Sequence, residues 1–190
     1  MLKHFNKLIA LMLALTAVMT SGCAGSSTSV KPSSAAITEA PERTAQTEST
    51  EDEEAKRLAA AQEYFDSLRD AFHGYSEASV AFTDAMEAEK YDDAEASLDD
   101  MKSSLTKLGD ISAPPEYSPD QSTLKGYLRP EFDYIDLCRK FIGYCRKGDS
   151  LTKKDEIEME AITHEIELTS TDFLDVLREI VEKVKTDISK

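Results

Sequence analysis

From Leu58 to Met86 apolar residues recur at alternating steps of three and four, a spacing that one face of a long amphipathic helix accounts for. One register holds Leu58, Phe65, Phe72, Ser79 and Met86, and the other holds Ala61, Leu68, Tyr75 and Phe82. Thr50 and Glu53 carry the residue types of a capping box, and the acids of Glu51 to Glu54 suit the positive end of a helix dipole. The pattern predicts a helix over about 51–89, with Gly74 off the seam. A stripe this long must be buried against other helices, so the chain is committed to helical packing. The mixture of Phe with Ala and Ser suits a globular bundle better than a uniform two-stranded coiled coil.

Three further helices follow by the same criteria. Asp92 and Glu95 repeat the capping signature ahead of Leu98, Met101, Leu105 and Leu108, and Lys107 with Gly109 supplies the stop, which gives a helix over about 92–108. Pro114-Pro115 bars helix across 110–118, because proline removes a donor and pushes its predecessor into extended backbone. An extended crossing of about 30 Å there would carry the chain toward the far end of the first helix. Ser118-Pro119-Asp120-Gln121 opens a third helix over about 119–147 with a cap, a first-turn proline, an acid and Gln at the boxed position. Its apolar residues spread widely: Leu124, Leu128, Ile135, Cys138, Ile142 and Cys145 form one stripe, flanked by Tyr127, Phe132, Tyr134, Leu137, Phe141 and Tyr144. Such coverage marks either the enclosed centre of the bundle or a second contact face. Thr152 with Asp155 starts a fourth helix over about 153–188, striped by Ile162, Ile166, Phe173, Leu177, Ile180, Val184 and Ile188. The expected fold is an all-α, antiparallel, up-down-up-down four-helix bundle spanning 51–189.

What precedes the bundle is of a different kind. Lys3 and Lys7 make a basic start, Leu8 to Met19 is an apolar run, and Thr20-Ser21-Gly22 leads to Cys23. The run falls short of the roughly 20 apolar residues that a membrane-spanning helix needs, and it has the form of an export signal. At Cys23 the segment resembles a bacterial lipoprotein signal, with Thr20 standing where an aliphatic residue is commoner. The resemblance implies removal of residues 1–22, a lipid on the sulfur of Cys23 and attachment to the outer face of a cell membrane. Residues 23–50 are then a tether of Ser, Thr, Ala, Pro and Gly with little to bury, whose flexible coil spans about 30 Å.

Charge excludes one class of partner. The 22 basic residues lose Lys3 and Lys7 with the signal, leaving 20 against 37 acids and a net charge of −17. A chain so acidic lacks the basic footprint that nucleic acid demands. Cys138 and Cys145, seven residues apart on one helix, would have Cα atoms about 10.5 Å apart, beyond the roughly 7 Å reach of a disulfide. They read as small buried hydrophobes.

Candidate chemistry is sparse. Asp70, His73 and Glu77, and likewise Glu160, His164 and Glu167, have the helical spacing of metal ligands, yet at about 100° per residue both sets fall on the side away from the apolar stripe. We expect no metal, no cofactor and no catalytic residue, and neither a nucleophile elbow nor a phosphate loop occurs. The surface with most to offer a partner is the APPEYSP crossing with Tyr117, together with Tyr127 and Tyr134 of the third helix.

The layout of signal, Ser/Thr tether and long helices resembles that of small helical lipoproteins of bacterial cell surfaces, a likeness that brings no activity with it. It implies a membrane-anchored accessory module of the cell envelope that acts by contacting a protein partner. The alternatives are a bundle that senses a small molecule near the Tyr-rich part of the third helix, and self-association through that helix.

Overall fold

The computed structural model describes residues 44–169 and 173–190, with side chains from Asp52 onward; the signal-like segment and Cys23 lie outside the described residues. Among the described residues five α-helices follow in order: α1 (Thr44–Glu87), α2 (Tyr91–Asp110), α3 (Ser118–Cys145), α4 (Lys153–Thr169) and α5 (Phe173–Ile188). They pack as an antiparallel up-down-up-down four-helix bundle, in which α4 and α5 together hold the place of the expected fourth helix. No strand occurs among the described residues.

The most extensive contact is between α1 and α2. The α1 stripe that faces inward is Ala61, Tyr64, Leu68, Ala71, Tyr75, Ala78, Phe82 and Ala85. The register of Ala61, Leu68, Tyr75 and Phe82 is therefore as expected, and of its expected companion Ser79 and Met86 are buried, whereas Leu58 is exposed, Phe65 and Phe72 are only half-buried, and Tyr64, Ala71, Ala78 and Ala85 face inward beside them. The physical reason is proximity. Small side chains let two helix backbones approach, and a Cβ on Gly74 would stand 2.9 Å from Ser104 Oγ of α2. Gly74 thus belongs to the helix crossing rather than to an outer face. Against this surface α2 buries Ala94, Leu98, Met101, Leu105 and Leu108, each of the large ones contributing about 1.5–3 kcal/mol by leaving water.

Three local expectations change. Helix α1 begins at Thr44, so Thr50 lies inside it and is not its cap; every side chain from Asp52 to Ala60 is exposed, and α1 outruns the rest of the bundle at that end. Asp92 and Glu95 do not cap α2. Both instead bind Arg146 at the end of α3, at 2.5 Å and 2.9 Å, and tie the start of α2 to the end of α3. The link after α2 is extended only through Ile111–Pro114, and Pro115–Tyr117 form a 3-10 turn. It still delivers Tyr117 to Tyr64, at the end of the bundle toward the α1 N-terminus.

The cap predicted for α4 is present: the Asp155 backbone N–H donates to Thr152 Oγ1 at 3.2 Å, while the Thr152 N–H and hydroxyl donate to the Asp155 carboxylate at 2.9 Å and 2.7 Å. Helix α3 is the most enclosed member, touching α2, α4 and α5. It contains Pro130, whose missing donor frees the carbonyl four residues back; that residue is Gly126, which is exposed.

Candidate functional site

Two polar clusters interrupt the apolar interior, and the four-helix arrangement builds both. In the middle of the bundle Glu131 of α3 is only 7% exposed and accepts a hydrogen bond from the Tyr75 hydroxyl of α1 at 2.8 Å. Spacings of three and four place Tyr134 and Cys138 on the same face of α3, one and two turns on. Phe173 of α5 meets the Tyr75 ring edge-on at a centroid distance of 5.7 Å. Burial, then the Glu131 carboxylate, raises the Tyr75 pKa well above its ordinary value. Burial raises that of Tyr134 likewise, and it pushes the Cys138 thiol up to about 12. At neutral pH these three groups are therefore protonated donors, and the cluster presents neither a thiolate nor a phenolate. What it can do is hold α1 and α3 in register, since a buried acceptor is satisfied only when its donor is correctly placed.

The second cluster closes the end of the bundle nearest the α1 N-terminus. Gln121 is buried in the first turn of α3, where its amide donates to the Leu108 and Ile111 carbonyls at 2.9 Å and 3.2 Å and its Oε1 accepts from the Tyr64 hydroxyl at 2.9 Å. The last carbonyls of a helix need such donors. Gln121 is thus the C-terminal cap of α2, not the boxing residue of α3. The Tyr117 ring stacks on Tyr64 at a centroid distance of 5.6 Å, and its hydroxyl donates to Asp187 Oδ2 at 3.3 Å.

These contacts decide the fate of the expected partner surface. Tyr117 is 3% exposed and Tyr134 is 4% exposed, so both are core residues. Tyr127 is half-buried and packs against the core. The proline-rich crossing brings Tyr117 inward because its ring has Tyr64 to lie on, and Tyr134 is drawn in by the enclosure of α3 on three sides. The wide apolar coverage of α3 is that of a bundle centre.

The remaining sequence candidates lie apart from one another. The His73 and His164 side chains face solvent, 3.7 Å from Glu77 and 3.8 Å from Glu167, and no group of three or more His, Cys, Asp or Glu among the described residues is placed to hold a metal. Cys138 is fully buried, Cys145 half-buried, and both are free. Grooves among the described residues include one of about 400 Å³ between the Glu89–Asp93 turn and Arg146, and one of about 320 Å³ over Tyr117, bounded by Arg57, Glu116, Asp187 and Lys190. Among the described residues no helix is long and apolar enough to cross a membrane. No protein family, curated protein or solved structure matches the chain.

Glu131 and the role of Gln121 escape sequence reasoning for one reason. Each is a polar residue at a stripe position, three or four residues from buried neighbours, and periodicity by itself treats such a residue as an interruption. The available signal was Glu131 placed between Leu128 and Ile135, directly after a proline.

Proposed function

We propose that the chain is a lipoprotein held on the extracytoplasmic face of a cell membrane through Cys23, whose acidic four-helix bundle acts by contact as a non-enzymatic accessory module of the cell envelope. The reading rests on the sequence from Met1 to Cys23, where a basic start, a short apolar run and small residues end on a cysteine. A bundle whose buried polar groups bond to one another supports action by surface rather than by pocket. The acidic surface disfavours anionic lipid, which attracts clustered Lys and Arg, and so favours a domain that stands off the membrane.

The test is metabolic labelling with a fatty acid. Wild type takes up label and partitions with membranes, and Cys23→Ala abolishes both. Unlabelled wild type, or a variant of unchanged mass and partition, refutes the anchor. Capture of an envelope protein by the lipidated chain tests the contact role separately.

One observation favours a second reading, that the bundle senses a small solute. The groove over Tyr117 is lined by Arg57, Lys190, Glu116 and Asp187, with Lys190 paired to Asp187 at 2.8 Å, and a mixture of both charge signs suits a zwitterion. Stabilisation by an amino acid in a thermal-shift screen, lost in Arg57→Ala, would replace the contact reading with this one.

A further inference from the structure

Helix α4 packs on α3 through Met159, Thr163 and Ile166. Its opposite side carries two of the four large hydrophobic side chains that are exposed among the described residues: Ile157, 61% exposed, and Leu168, 71% exposed. At about 100° per residue, with Ile157 as zero, Leu168 falls near 20°, Ala161 near 40° and His164 near −20°, all four exposed and nearly opposite the contact with α3. An apolar stripe aligned along a helix and turned directly away from the core marks an interaction surface.

The charges beside the stripe identify what covers it. Lys154 and Glu165 flank it on one side, near 60° and 80°, and Lys153 and Glu167 flank it on the other, near −40° and −80°; all four are exposed. Cations stand at the start of α4 and anions at its end, on both flanks. When two identical helices meet antiparallel about a two-fold axis, each flank meets the same flank of its mate running the other way. Lys154 then faces Glu165 of the second copy and Lys153 faces Glu167, and both pairings centre on the same place, near residue 160. Within one chain Lys154 bonds Glu158 at 3.5 Å and Glu167 lies 3.8 Å from His164, exposed contacts that exchange at little cost. Glu160 meets its own mate near the axis, a like-charge approach one helical turn from His164.

We propose that two copies of this chain associate antiparallel through the outer face of α4, burying Ile157, Ala161 and Leu168 between them and pairing Lys153 and Lys154 with Glu167 and Glu165 of the mate. The pairing does not depend on the lipid, so its failure and that of the anchor are distinguishable.

The test uses the full chain in density-matched detergent at less than one chain per micelle, followed by sedimentation equilibrium. Wild type is expected to show a reversible monomer–dimer equilibrium, and Ile157→Asp with Leu168→Asp to weaken it at least tenfold at an unchanged thermal midpoint. Two charge variants decide the geometry: Lys153→Glu with Lys154→Glu, and Glu165→Lys with Glu167→Lys. Each places its new charges favourably for the helix dipole, so both fold, and each is expected to lose self-association at least tenfold. Mixed together they are expected to form a heterodimer, because every flank then joins Lys to Glu. A wild type that stays monomeric, or a mixture that associates no better than its components, overturns the proposal. So does a monomer in which hydrogen exchange of α4 speeds up on removal of residues 1–43, which would give the face to the chain's own N-terminal segment.

Discussion

Gln121→Ala is the substitution for which the fold makes the sharpest demand. Gln121 is 5% exposed and makes three hydrogen bonds, to the Leu108 and Ile111 carbonyls and from the Tyr64 hydroxyl, and Tyr64 is itself only 2% exposed. Truncation leaves one buried hydroxyl and two helix-end carbonyls without these partners. A net contribution of about 1 kcal/mol per bond, reduced for Ile111 because it is half-buried and its carbonyl can turn to water, gives a loss of about 2.5–3 kcal/mol. For a domain of this size that lowers the thermal midpoint by roughly 5–12 °C. Urea unfolding of Gln121→Ala, Tyr64→Phe and the double variant isolates the Tyr64–Gln121 bond, whose coupling should be about 1 kcal/mol. Gln121→Glu sharpens the result: a carboxylate aimed at two carbonyls is repelled at neutral pH and becomes a donor once protonated, so its deficit should shrink on acidification. If Gln121→Ala stays within about 0.5 kcal/mol of wild type at an unchanged denaturant slope, α2 does not end on this residue and the reasoning fails.

Three further outcomes follow from named contacts. The Cys138 thiol, pushed up to about 12 by burial, and the Cys145 thiol, raised by burial to about 11, should resist iodoacetamide at pH 7.5 in the folded chain and react at once in urea, read peptide by peptide in a mass spectrometer. Lys147, then Thr152, holds the Asp155 carboxyl below the ordinary carboxylate range. A lowered folded-state pKa gives stability that is complete above the unfolded value of about 3.9 and fades as pH falls through it. The stability gap between wild type and Asp155→Asn should therefore be open at roughly pH 6 and narrow toward pH 3. Gly74→Ala sets about 1 kcal/mol of gained helix propensity against a Cβ placed 2.9 Å from Ser104 Oγ; in a Ser104→Ala background the gain should emerge undiminished in thermal unfolding.

Helix positions and the break at Pro114-Pro115 were legible in the sequence because periodicity and proline chemistry are local, whereas of the expected N-terminal caps only Thr152 with Asp155 is formed. The facing of α1 was only half legible. Hydrophobicity ranks Phe65 and Phe72 above Ala71 and Ala78, but burial went to the alanines, since the closeness of two backbones is a property of the pair and no single helix records it. Tyr117 and Tyr134 failed as surface candidates for the same reason, their environment being supplied by Tyr64 and by the neighbours of α3. Ile157 and Leu168 were readable in principle. They are eleven residues apart, three helical turns, yet a search for the single best stripe discards whatever lies opposite it.

The placement of α4 gives the proposed pair a geometry that an anchored chain can test. Lys147 and Asp155 bond at 2.5 Å where α4 begins, whereas Tyr117 and Asp187 mark the other end, toward the α1 N-terminus. Helix α4 therefore occupies the half of the bundle remote from that terminus. Antiparallel pairing centred near residue 160 overlaps only the two remote halves, and the α1 N-termini point in opposite directions. With about 1.5 Å per residue along α1 from Thr44 to Glu87, and a crossing roughly 10 Å from the tip, these ends stand about 110 Å apart. If each chain is anchored through Cys23 as proposed, a pair of that shape predicts that two membranes are joined. Neutral lipid vesicles carrying the lipidated full chain should then cluster, as read by turbidity and light scattering, and vesicles carrying Ile157→Asp with Leu168→Asp should stay dispersed. Dispersed wild-type vesicles, with dimer present in detergent, would refute bridging and lay the pair along a single membrane surface.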